Sequence, residues 1–406
     1  MRPILLSAPY GDPQTSTENQ LRLPSGLRTT GFVEITLEGG ITGLGEGYLA
    51  VFAPHVFESL IELIAPMLIG KDVRQLSEIV QELINATGYW SLQGAARHAL
   101  GALEIALQDA RARLENIAVW RMLGGSQQPL LTLYASGGTS IGPASMADEL
   151  AAVSALGIET FKIRARSHQV DKVVWTQLAA AVSKVVIAVD MTQNLEIPSP
   201  PPSDVLNFVE TLRERSGLLP AFLEEVLGAD RISYLPELRR DLDVPIAGGE
   251  IVTTDDELSE RVLHGYYDIV QPDATVIGGL GPVLRVFSAA RAASTEVYVH
   301  CWGAGVGVLA NYHVAAAAGG STVEWPLPSY PLREELLKDL VTVEHGKLTL
   351  GDTPGLGIEL TKELEREFPF REEAVYECVV DPMRLSRSKS RWPPTGPSIH
   401  PITEAD

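Results

Sequence analysis

VVIAVD at 185–190, AFLEEV at 221–226 and VPIAGGE at 244–250 follow one another along the chain, and each is a short apolar run that stops on or beside an acid: Asp190, Glu224 and Glu250. A parallel strand buried on both faces reads as a continuous apolar run of this kind. The same device recurs on either side. ETFKIR (159–164) ends on Lys162 and Arg164, YDIVQPD (267–273) on Asp273 and VYVH (297–300) on His300, while STVEW (321–325) holds Glu324 and LTLYAS (131–136) opens the series. Between these eight segments lie helical stretches such as SMADELAAVSALG (145–157), DDELSERVLHG (255–265) and GPVLRVFSAARAAS (281–294). Strict alternation of strand and helix demands a parallel sheet with right-handed crossovers. Eight such units close as a (β/α)8 barrel, whose C-terminal strand ends share the rim where such barrels do chemistry.

Outward from that block the pattern changes. FVEITLEGGITGLGEGYL (32–49) alternates apolar and polar positions around Gly39 and Gly40, which predicts a hairpin. Three helical stretches come next. The third, 91–123, places Ala95, Leu100, Leu103, Ala106 and Leu107 at helical spacing and stops at Gly124 and Gly125. The expected organisation is an α/β protein: an α+β cap over 1–125 and a modified (β/α)8 barrel over 126–330. A C-terminal segment over 331–380 carries a hairpin-like piece that cannot be another strand–helix unit and is expected to return to the cap. The last stretch, 381–406, is basic and then Pro-rich, and reads as a tail or an arm on a neighbouring subunit.

At 406 residues the chain has room for about two domains. Its formal charge of −20 argues against nucleic acid as a partner, because a phosphate backbone is held by clustered Lys and Arg. It does not exclude a small anionic substrate, since a bound cation inverts the local field. With only Cys301 and Cys378 there is no disulfide framework, and a reducing compartment is the default. No stretch approaches the roughly 20 apolar residues of a membrane span. A soluble cytoplasmic protein with no membrane partner is expected.

Three acids ending consecutive strands repel one another unless a cation is present. Hard carboxylate oxygens suit Mg2+ better than zinc, and no Cys or His joins them at zinc-like spacing. Each acid alone would read as a helix cap or the partner of a surface Lys; three in register point to a metal. Lys162 and Arg164 are two apart in a strand and so point the same way. Asp273 and His300, on adjacent strands, fit a pair in which the carboxylate fixes the tautomer and the imidazole serves as a general base.

The ordered set Lys162-Ile-Arg164, Asp190, Glu224-Glu225, Gly249-Glu250, Gln271-Pro272-Asp273, His300 and Glu324 resembles the enolase superfamily, and the Asp/His pair resembles its mandelate racemase group. GLGEGY (43–48), GALEIALQDARARLENIAVWRMLGG (101–125), HCWGAGVG (300–307) and PGLGIEL (354–360) extend the likeness over roughly 32–360. The resemblance implies an α+β cap made from both ends of the chain over a modified barrel. It implies Asp190, Glu224 and Glu250 as Mg2+ ligands, Lys162 as the stabiliser of an enediolate, His300 with Asp273 as base, and Glu324 as hydrogen-bond donor to a substrate carboxylate. Specificity in the family lies in cap loops, here 10–30, with Arg22 and Arg28 as contacts to a distal group of the substrate. Trp302, beside His300, would pack on it.

Arg164 stands where mandelate racemase has a second Lys base. A guanidinium stays protonated and is a poor base, which disfavours racemisation. A syn dehydration needs one base only, with Arg164 holding substrate or charge. Val276 stands where relatives of the muconate cycloisomerase type carry a Lys, so their chemistry is disfavoured. The expected function is Mg2+-dependent dehydration of a sugar acid, an aldonate or aldarate, to a 2-keto-3-deoxy acid. The alternatives are a racemase or epimerase acting next to a carboxylate, and a non-catalytic member that binds metal or ligand. Homo-oligomerisation is expected from the family.

Overall fold

The computed structural model describes residues 1–11, 25–126, 130–139 and 142–376, with the backbone alone at 21–22 and 377–378. The 381–406 tail and the side chain of Arg22 lie outside the described residues. The chain divides into two compact units, Met1–Leu133 with the chain from Gly248 onward, and Tyr134–Ala247. No helix among the described residues is long and apolar enough to cross a membrane.

The N-terminal part of the first unit is an antiparallel sheet of Arg2–Pro9, Leu27–Thr36 and Thr42–Gly47, in that order. The hairpin turns through Gly39 and Gly40, at φ 97° and 89°. Helices Pro54–Ile64, Leu76–Ser91 and Ala95–Leu114 come after it. Val33, Ile35, Phe57, Ile61, Leu83, Leu103 and Ala106 share the core between sheet and helices. Gly43 and Gly45 let the hairpin lie directly on the last of these helices. A Cβ at Gly45 would stand 1.8 Å from the carbonyl oxygen of Ala102. Because side chains alternate along a strand, Leu44 and Glu46 then face away from that helix. The single helix expected over 91–123 is two, Ala95–Leu114 and Val119–Met122. Between them Asn116 turns the chain with φ 56°, a conformation that Asn tolerates better than most residues.

All eight expected barrel strands are present: Leu130–Gly137, Thr160–Arg164, Val186–Asp190, Leu223–Glu224, Ile246–Gly248, Ile269–Val270, Glu296–Val299 and Thr322–Pro326. They are neighbours in sequence order, and the eighth also pairs with the first, so the sheet closes. The pairs Arg164↔Asp190 and Asp190↔Glu224 set three of the predicted residues in one row across three strands. Asp273 and His300 lie just past their strands, and Asp273 caps the short helix Ala274–Ile277 by accepting from the Thr275 N–H.

Beyond the barrel, Val341–Glu344 and Lys347–Leu350 form the hairpin expected near the C-terminus. Sequence pattern gave no sign that its second strand would pair antiparallel with Leu130–Thr132 and so lengthen the sheet. The chain then meets the N-terminal sheet, where the Ser7 N–H donates to the Phe368 carbonyl at 3.1 Å and Arg2 pairs with Glu365 at 2.8 Å.

Candidate active site

In the unit Tyr134–Ala247, two cations face two acids. Lys162 Nζ lies 2.5 Å from Glu224 Oε1, with the two residues 3% and 0% exposed. Its ammonium also stands 5.4 Å from the centre of the Tyr134 ring. Arg164 Nε donates to Asp190 Oδ2 at 3.3 Å, and its side chain is about a third exposed. The other oxygen of Asp190 accepts the Thr192 N–H at 2.7 Å, and Thr192 has a left-handed backbone with φ 47°. Burying a carboxylate is costly unless it is paired, and here each acid has a cation from the strand Thr160–Arg164.

In the unit that includes Gly248 onward, three acids face one imidazole. His300 Nδ1 stands 2.7 Å from Asp273 Oδ2, while Nε2 lies 3.2 Å from Glu250 Oε2 and 3.7 Å from Glu324 Oε2. An ionised carboxylate only accepts, so the Asp273 contact places a proton on Nδ1. Burial opposes charge on this imidazole, but Glu250, Glu324 and Asp273 together outweigh it and raise its pKa to about 10. Glu324 Oε2 also accepts the Cys301 N–H at 2.9 Å, which ties it to the residue after His300.

Arg28 is buried, 2% exposed, and its guanidinium stands 4.6, 5.5 and 5.9 Å from the ring centres of Tyr10, Tyr48 and Tyr330. Its Nη2 donates to the Trp302 carbonyl at 3.1 Å. Trp302 therefore meets Arg28 through its backbone. Glu46 accepts from the Ala304 and Gly307 N–H groups, each at 2.7 Å. Its pKa is raised to about 7 by burial, eased by those two donors and by Arg28. The GLGEGY motif marks Glu46 in the sequence but not this role. Tyr10, Tyr48 and Tyr330 carried no signal at all, because an isolated Tyr is unremarkable until the fold surrounds a cation with three of them.

Among the described residues, no three His, Cys, Asp or Glu side chains are grouped so as to hold a metal ion. Each predicted ligand instead faces a cationic side chain: Glu224 faces Lys162, Asp190 faces Arg164, and Glu250 faces His300. The donor chemistry, three carboxylates on or just after consecutive strands, nevertheless fits a hard divalent cation.

The comparisons with known proteins agree with this architecture. The family described as mandelate racemase / muconate lactonizing enzyme, N-terminal domain, matches residues 25–124, and that described as enolase C-terminal domain-like matches 145–364. The chain belongs to the mandelate racemase group of the enolase superfamily. Among relatives in that superfamily, arabinonate dehydratase of Saccharolobus solfataricus is 25% identical over 348 residues, covering 82% of this chain and 89% of that protein. D-galactarolactone cycloisomerase of Agrobacterium fabrum is 25% identical over 349 residues, covering 83% and 90%. The crystal structure of L-talarate dehydratase from Polaromonas sp. JS666, complexed with Mg and L-glucarate, superposes with a TM-score of 0.76 at 22% identity, covering 91% of this chain and 96% of that one. At that identity the likeness shows the fold.

Proposed function

We propose that this protein is a Mg2+-dependent lyase that dehydrates a sugar acid, an aldonate or aldarate, to a 2-keto-3-deoxy acid. The observation that carries the reading is the His300 imidazole, held through Nδ1 by Asp273 with Nε2 turned toward Glu250 and Glu324. The dehydratases among the relatives support it.

Asp190, Glu224 and Glu250 would hold Mg2+, which supplies the positive charge that makes a proton beside a carboxylate acidic. Lys162, Arg164 and His300, now against those carboxylates, would then be available to the substrate. His300 Nε2 then accepts the C2 proton. The electron pair passes into the carboxylate to give an enediolate, and Lys162 meets the developing charge. Glu324 would donate a hydrogen bond to a carboxylate oxygen of the substrate. The enediolate collapses with loss of the C3 hydroxyl, to which the His300 imidazolium gives its proton, so water departs. The resulting enol takes up a proton at C3 and gives up its C2 hydroxyl proton, which yields the 2-keto-3-deoxy acid. Arg164 holds substrate or charge, and Arg28, Trp302 and Arg22 are assigned to the far end of the substrate.

The test is proton NMR in D2O with Mg2+, following the protein against pools of aldonic and aldaric acids. A C3 methylene signal appearing as the C2 proton signal disappears is the expected result, and it is lost when the metal is chelated. C2 deuterium exchange without a new product would replace dehydration by racemisation or epimerisation. No change in any pool would overturn the reading.

A further inference from the structure

Helix Val306–Ala317 is buried along nearly its whole length, and its sequence, VGVLANYHVAAA, is apolar except at Asn311, Tyr312 and His313. A buried amide in such a run destabilises the fold unless its donors and acceptor are engaged. Asn311, 1% exposed, is engaged on both sides. Its Nδ2 donates to Asp273 Oδ1 at 2.9 Å, and its Oδ1 accepts the Ala274 N–H at 2.9 Å. The orientation of the amide is fixed by its partners. A backbone N–H can only donate, and an ionised carboxylate can only accept.

Asp273 Oδ1 also receives the Thr275 N–H at 2.8 Å and the Thr275 hydroxyl at 2.7 Å. Three donors thus occupy Oδ1, and Oδ2 is the oxygen that meets His300 Nδ1. We propose that Asn311 is a positioning residue for the base: by clamping Asp273 Oδ1 and the backbone at Ala274, it fixes the carboxylate plane that aims His300 Nε2. The proposal rests on the reading of His300 and Asp273 as the base pair. Asn311 touches neither substrate nor reacting atoms, and it acts through Asp273. The base and its clamp also belong to one stretch, 300–311, whose loop is held by Glu46 at Ala304 and Gly307.

The test uses the full chain with Mg2+ and whichever acid of the aldonic and aldaric pools exchanges its C2 proton, measuring kcat and KM for exchange in N311L and N311D. N311L is expected to lower kcat by about 10- to 100-fold, as misplacement of a catalytic group does, with KM changed less than about 3-fold. In N311D the new group donates to Asp273 only when protonated. Its kcat, relative to wild type, is expected to be lowest at pH 8 and to recover toward pH 6, a profile that loss of packing alone would not produce. A separate readout needs no turnover. The Nδ1 proton of His300 is expected far downfield in the wild-type chain, absent in D273N, and shifted or broadened in N311L and N311D.

Wild-type kcat in both variants, or equal losses in kcat and KM with no pH recovery in N311D, overturns the role of Asn311. Failure of the underlying reading looks different: H300N then keeps its C2 exchange. Should N311L fail to fold, the isosteric N311D decides.

Discussion

The two groups of candidate residues solve the same electrostatic problem in opposite ways. In the Tyr134–Ala247 unit, charge is balanced by charge: Lys162 lies against Glu224 and Arg164 against Asp190. In the other unit, Glu250, Asp273 and Glu324 crowd a single imidazole, and neutral donors do most of the orienting. Thr275 and Asn311 hold Asp273, and the Cys301 N–H holds Glu324. On the proposed function, the first arrangement suits acids that would exchange a side-chain cation for Mg2+. The second suits a group that must keep one orientation while its proton comes and goes. A fixed dipole network does not need to rearrange as charge moves, which is the property expected around a base.

H300N breaks the second group at its centre and carries the largest expected effect. Removing a general base costs typically 100- to 10,000-fold, so turnover of whichever pooled sugar acid reacts should fall by about 1,000-fold or more in kcat. NMR of the product measures this directly, and a variant within about 10-fold of wild type would move the base elsewhere.

K162M probes the first group. It leaves Glu224, fully buried, without its ammonium, and breaking a buried pair destabilises by about 3–5 kcal/mol. Urea midpoints in the presence of a chelator should show that loss, and Mg2+ should restore part of it, because a cation on Glu224 replaces the ammonium. R164M is the matched control. Arg164 is about a third exposed and the buried Asp190 keeps the Thr192 N–H, so its removal should cost less than that of Lys162, about 1–3 kcal/mol. Equal losses in the two variants would contradict the assignment of Lys162 as the deeper counter-charge.

The first group was the more legible in sequence. Its residues lie within strands, where period two and the apolar run fix both position and direction, and the row Arg164, Asp190, Glu224 comes from register alone. The strand count, the hairpin at Gly39 and Gly40 and the order of the acids were equally readable. The second group depends on the loops and helices beyond the strand ends. Asn311 reads as one polar interruption of an apolar helix, and nothing in its spacing says that it faces Asp273. Glu46 sits in a strand whose pattern gives its side but not its partners at Ala304 and Gly307. The break at Asn116 was hidden because helical periodicity continues through it. Tertiary contacts between segments far apart in sequence carry no local signal, and most of the support around His300 is of that kind.

A last comparison separates burial from charge as the cause of what happens to His300. His313 lies on the helix that carries Asn311, is also buried, and is pushed the other way: with no acid to offset burial, its pKa falls to about 3. Its Nδ1 accepts the Trp120 N–H at 3.1 Å, so it must stay neutral to hold the start of Val119–Met122. The unfolded chain takes up a proton near pH 6.5, whereas the folded chain does so only near 3. Stability contributed by this group is therefore fully present above pH 6.5 and is lost as pH falls from 6.5 toward 3, by an amount on the order of a few kcal/mol. H313Q keeps an acceptor for Trp120 but does not titrate. Its urea midpoint should lie near that of wild type at pH 7.5, and the wild type should lose ground to it at pH 4.5. Parallel acid curves for the two proteins would mean that His313 does not stay neutral as the structure requires, and that burial alone does not set the charge of a histidine in this half of the molecule.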